Sequence, residues 1–147
     1  MGDEVRLGTT MDCTDARVMT GFWTVALSYE EASPPEGWAS WGDFLRDQGV
    51  PEAEWGDGAV IQPVKGVGPT ISFLKVPESK VVKNRVHLDV KVSGGRNVEP
   101  QTRERRIRTK EAELVAAGAS TLREDRVAGS LDHLVMADPE GNEFCIV

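Results

Sequence analysis

Alternation opens the chain. From Val5 to Cys13, the residues Val5, Leu7, Thr9, Met11 and Cys13 fall on one side and Arg6, Gly8, Thr10 and Asp12 on the other, the signature of a strand. Thr14 or Asp15 then offers a side-chain oxygen to the unpaired amides of a first helical turn. Beyond it the period lengthens. Met19, Phe22, Trp23, Ala26 and Leu27 recur at helical spacing and form one apolar stripe. The stretch Glu30 to Gly58 loses periodicity, and Pro34, Pro35, Pro51 and several glycines make it loop, with one short helix near Trp41 to Asp47. Strand-like runs follow at Ala59 to Val64 and Thr70 to Val76, around the turn-prone Gly66, Gly68 and Pro69. Glu78 to Asn84, polar and basic, reads as a linker.

Strand alternation resumes at Arg85, with Val86, Leu88, Val90 and Val92 on one face and His87, Asp89 and Lys91 on the other, until Gly94 and Gly95 end it. A long helix is expected from Pro100 to Ala117, with Ile107, Leu114 and Val115 on its apolar side and Gly118 where a left-handed cap is wanted. Strands near Ser120 to Arg123, Leu131 to Ala137 and Glu143 to Val147 close the chain. Turn chemistry at residues 138–142 joins the last two. Both halves therefore run strand, helix, short strands, and they align. Thr10-Met11-Asp12 sets against His87-Leu88-Asp89, Leu27-Ser28-Tyr29 against Ala117-Gly118-Ala119, and Phe73-Leu74-Lys75-Val76 against Phe144-Cys145-Ile146-Val147.

Composition narrows the class. A chain of 147 residues, 39% hydrophobic and 28% charged, can bury a core as one domain without disulfides. A formal net charge of -7, with 24 acids against 17 bases, repels nucleic acid and anionic lipid. Arg103, Arg105, Arg106, Arg108 and Lys110 run against that balance, but Glu104, Glu111 and Glu113 interleave with them, so the cluster reads as a solvated helix face. Cys13 and Cys145 form no CxxC pair, Met1 to Arg6 are largely charged, and no apolar run approaches a membrane span. A cytoplasmic protein with no membrane or nucleic-acid partner is expected.

Four segments carry a family resemblance. Phe22-Trp23-Thr24-Val25-Ala26-Leu27-Ser28-Tyr29 resembles the helix-end signature of glyoxalase-like domains, with serine where their glycine stands. Lys83 to Val90 resembles the opening strand of their second module, Glu113 to Ala119 the end of their second helix, and Asp138 to Phe144 the hairpin into their last strand. On these residues the chain resembles the glyoxalase, bleomycin-resistance and extradiol-dioxygenase superfamily, the vicinal oxygen chelate proteins. The resemblance implies an α+β fold, a single glyoxalase-like domain over residues 1–147. Two βαβββ modules, about 5–77 and about 85–147, would form curved mixed sheets around a cup-shaped cavity.

In metal-dependent members, ligands come from the first and last strands of each module. The corresponding positions are Thr10, Leu74, His87 and Cys145. Leu74 cannot donate and the hydroxyl of Thr10 is a poor ligand, so no complete metal site and no cofactor are expected. A rearranged divalent-metal set of His87, Glu143 and Cys145 stays open. The polar strand faces nominate Thr10, Asp12, Leu74, His87, Asp89, Glu143 and Cys145 as ligand-binding, with His87 and Glu143 as the catalytic pair if a reaction occurs. His133 is expected to pack or to hydrogen-bond a carboxylate. Trp23 belongs to the core, and Trp38, Trp41 and Trp55 pack a loop or wall a pocket. The expected function is binding of a small molecule in the cup, as bleomycin-resistance proteins do, by a homodimer. The alternative is a metal-dependent lyase, isomerase or dioxygenase.

Overall fold

The computed structural model describes Gly2 and residues 4–147; Met1 and Asp3, in the charged opening stretch, lie outside the described residues. The chain divides into two compact units, residues 1–79 and 80–147. In the first, β1 (Thr9–Cys13), α1 (Ala16–Leu27), β2 (Tyr29–Glu31), α2 (Trp41–Asp47), a 3-10 helix (Glu52–Asp57), β3 (Gly58–Pro63) and β4 (Ile71–Lys75) follow in order. In the second, β5 (Leu88–Val90) precedes α3 (Pro100–Ala116), β6 (Ser120–Val127), β7 (Ser130–Ala137) and β8 (Glu143–Ile146).

Each unit holds one four-stranded mixed sheet, ordered β1-β4-β3-β2 in the first and β5-β8-β7-β6 in the second. In both, the first and last strands pair in parallel and the rest antiparallel. The registers match as well. Met11 lies opposite Phe73 and Leu88 opposite Phe144, so Thr10 corresponds to His87 and Leu74 to Cys145, as the internal alignment has it.

Local chemistry explains the helix limits. Asp15 accepts from the amides of Arg17 at 2.9 Å and Val18 at 3.2 Å, starting α1. One face of α1 buries Ala16, Met19, Phe22, Trp23 and Ala26. Its exit residue, Ser28, takes the left-handed conformation (φ 55, ψ 49), which is why glycine is preferred there and why this serine is a local misfit. The carboxylate of Glu99 caps α3 by accepting from Gln101 and Thr102, and Ile107 and Leu114 are fully buried. Ala128 (φ 50) and Gly129 (φ 81) make the tight turn between β6 and β7. The Asp138 carboxylate ties down the final turn by accepting from the amides of Glu140 and Asn142.

Several expectations need correction. The first strand begins at Thr9 rather than Val5, since β4 offers pairing partners only for Thr9–Cys13, and Val5 and Leu7 stand exposed. The strand expected over Arg85 to Val92 shrinks to β5, because only Leu88 to Val90 have partners on β8. β2 and the 3-10 helix fall in the stretch read as loop; neither is long enough to show a period. The basic cluster on α3 is not wholly solvated. Arg103 is 8% exposed, turned inward by Asp132.

Candidate functional site

The strand registers bring part of the expected set together. Asp89 lies opposite Cys145 on β5 and β8. His87 and Glu143 meet one pleat away, Nε2 standing 3.4 Å from Oε2. Asn84 frames this pair: its side-chain oxygen accepts from the Glu143 amide at 3.2 Å, and its carbonyl lies 3.3 Å from the His87 ring. Lys83 pairs with the Glu143 carboxylate and, with help from His87, holds it below the usual carboxylate range. The first unit gathers Thr10, Asp12 and Leu74 on one side of β1 and β4 but leaves them exposed, Leu74 by 50%.

A labile divalent metal needs about three protein donors. Within the second unit, His87 and Glu143 are two, and Glu143 is already neutralised by Lys83. Cys145 is buried, and burial together with nearby Asp89 pushes its thiol up, away from the thiolate a metal needs. Among the described residues no group of three His, Cys, Asp or Glu side chains is arranged to hold an ion.

The larger assembly lies along the same strand face. A pocket of about 770 Å³ opens between β5, β7, β8 and the loop into α3, and it takes in Asp89 and Cys145 together with Lys91, Arg96, Arg103, Asp132 and His133. Two consecutive residues of β7 reach one pocket because the strand bulges. Asp125 pairs with His133 and Arg126 with Leu131, so Asp132 is the extra residue. Asp132 is the hub. Arg96 donates to both its oxygens, at 2.9 and 3.1 Å, the His133 ring nitrogen Nδ1 lies 3.0 Å away, and Arg103 approaches to 3.6 Å. Arg96 foremost, and His133 after it, hold its carboxyl far below the ordinary range. His133 is thus the hydrogen-bonded histidine of the two readings, its Nε2 facing Asp125 at 3.0 Å.

Arg106 secures the loop. It donates to the Ser93 carbonyl at 2.9 Å and lies so close over Gly94 that an added Cβ would sit 2.7 Å from its Nη1. Sequence reasoning missed Lys91, Arg96, Arg103 and Asp132 as site residues. One signal was present: Asp132-His133 interrupts an otherwise apolar run from Leu131 to Ala137, which a regular strand cannot bury on one face. The loop tryptophans pack. Trp38 and Trp41 both stack edge-on against Phe44, the Trp41 indole donates to the Ala32 carbonyl at 2.7 Å, and the Trp55 indole donates to the Val50 carbonyl at 3.0 Å.

No functionally curated protein matches the chain. Solved structures do. A genomically encoded fosfomycin resistance protein, FosX, from Listeria monocytogenes aligns over 99% of this chain and 91% of its own, at 12% identity and a TM-score of 0.60. A glyoxalase/bleomycin resistance protein/dioxygenase family enzyme from Burkholderia phytofirmans PsJN aligns over 94% and 93%, at 14% identity and 0.57. A glyoxalase-related enzyme from Fulvimarina pelagi aligns over 97% and 87%, at 14% identity and 0.57. These likenesses establish the fold. Residues 8–147 match the glyoxalase-like domain family, and with both sheets repeating one strand order, the chain belongs to that family.

Proposed function

We propose that this protein binds a small molecule in the pocket of its second unit, without the metal site of the superfamily's metalloenzymes. The observation that carries the reading is the convergence of charged side chains from two strands, a loop and a helix on one hollow whose walls also include Val92, Cys145 and Val147. A few placed polar groups on an apolar wall, in a volume of this size, are what small-molecule sites are made of. Within the second unit His87, Asp89, Glu143 and Cys145 remain proposed ligand contacts, and Thr10, Asp12 and Leu74 remain proposed ligand-binding residues of the first unit, taken by itself. If the bound molecule is also transformed, His87 beside Glu143 is the proposed base.

Residues 1–147 act as one glyoxalase-like domain in this proposal, in a cytoplasmic homodimer. The exposed Val81, Val82 and Val86 offer a second copy an apolar surface. Among the described residues no helix is long and apolar enough to cross a membrane. Light scattering at monomer mass would rule the dimer out.

The metal-dependent alternative is less favoured by the donor chemistry, although a mutant of the Listeria fosfomycin resistance protein has been crystallised with Mn(II) and a dihydroxypropylphosphonic acid. Native mass spectrometry on freshly purified protein separates the readings. Small-molecule binding predicts an organic adduct that Lys91→Gln weakens. A stoichiometric divalent metal and no organic adduct would overturn the proposal.

A further inference from the structure

A buried guanidinium needs acceptors, because its hydrogen atoms have left water behind. Arg103 is short of them. Its side chain is 10% exposed, its Nε has no partner, and its Nη2 reaches only the Asp132 carbonyl at 3.4 Å and the Asp132 carboxylate at 3.6 Å. That carboxylate is shared: Arg96 takes both oxygens and His133 faces one of them. One anion thus serves two guanidinium groups and an imidazole.

The pocket as a whole repeats the imbalance. Lys91, Arg96 and Arg103 stand against Asp89 and Asp132, three cations to two carboxylates before His133 is counted. The chain around them carries a formal net charge of -7, so a cationic hollow runs against its surroundings. The two arginines differ in freedom. The Arg96 side chain is 78% exposed and can leave Asp132 at little packing cost, while Arg103 is a buried residue of α3.

We infer that the pocket is built for the oxyanion head group of a small organic acid, a carboxylate or a phosphonate, which draws Arg96 across from Asp132, pairs with Arg96 at the edge of the Arg103 guanidinium, and leaves the Asp132 carboxylate to Arg103. The inference rests on the small-molecule reading and names its ligand class. Val92, Cys145 and Val147 then face the apolar body of the ligand. Bidentate pairing to planar oxyanions is the geometry for which guanidinium groups are suited.

Four probes sharing one ring test it on the full ¹⁵N-labelled chain: benzoate, phenylphosphonate, benzamide and benzylammonium. Benzoate or phenylphosphonate is expected to shift the Arg103 Nε–Hε signal and the Lys91 and Arg96 amides saturably, and the tighter of the two identifies the head group. Benzamide and benzylammonium are expected to bind at least about tenfold more weakly, and Arg96→Gln, an exposed change, to weaken the anion by about tenfold. Equal binding of benzamide or benzylammonium in the pocket would overturn the inference and leave the small-molecule reading standing. The absence of any saturable shift with both anions would also overturn it. The organic adduct sought by native mass spectrometry would then decide the broader reading independently.

Discussion

In the first unit, Thr10, Asp12 and Leu74 stand exposed on β1 and β4; in the second, the counterparts of Asp12 and Leu74, Asp89 and Cys145, line a charged hollow, while His87 pairs with Glu143. The sheets behind these residues are alike. Phe73 and Phe144 are each 1% exposed and occupy the same place in the same strand order. What differs is how the antiparallel half is built. The second unit joins two eight-residue strands by the tight turn at Ala128 and Gly129, and the extra length of β7 carries Asp132 and His133. The first unit spends the corresponding stretch on residues 32–57, where α2 and the 3-10 helix are packed by tryptophans. A duplicated fold keeps its apolar face and lets the polar face diverge, since packing constrains one and chemistry the other.

The shared apolar cores carry most of the stability. Phe73→Ala and Phe144→Ala should each cost about 3–5 kcal/mol in urea unfolding. A loss confined to one of them would break the equivalence of the two cores. Next comes the divergent part. Asp132→Ala leaves Arg103 buried beside no anion and should cost about 3 kcal/mol, whereas Asp12→Ala on the exposed face of the first sheet should stay within about 0.5 kcal/mol. Comparable costs would mean that the hollow is not special.

At one shared position the two helix exits carry serine and glycine. Ser28 and Gly118 are equivalent, and both have positive φ. Ser28→Gly should stabilise by about 1 kcal/mol; Gly118→Ser should destabilise by about 1–2 kcal/mol, because its Cβ would also meet Pro139 at 3.2 Å. Thermal midpoints moving the same way for both would contradict that reading.

Acid titration gives the smallest signal. A carboxyl whose folded pKa is depressed stabilises the fold above its unfolded pKa, and that contribution is lost as pH falls through the folded value. The carboxyl of Asp132 is depressed chiefly by Arg96. Wild-type stability should therefore decline as pH falls below about 4, and Asp132→Asn should decline less steeply over that range. Parallel curves would remove Asp132 from the acid response.

Much of the architecture was legible because period and turn chemistry are local. The α1 stripe, the Pro100 start of α3 and the turn at residues 138–142 all follow from neighbours in sequence. The repeat also made the pairing of Thr10 with His87 readable, since each stands one residue before an equivalent pair, Met11 opposite Phe73 and Leu88 opposite Phe144. The hollow was harder to read. Arg103 looked like one more base on a charged helix, and its burial depends on Asp132, which lies in a strand that must bulge to present it. A bulge is a property of two paired strands, and neither strand alone announces it.

A crystal structure grown in the presence of benzoate would show where an oxyanion binds. The ligand's carboxylate should lie between Arg96 and Arg103 in the second unit, with Arg96 displaced from Asp132. Benzoate seated on the sheet face of Thr10, Asp12 and Leu74, with the Arg96–Asp132 pair undisturbed and the hollow holding only water, would contradict it.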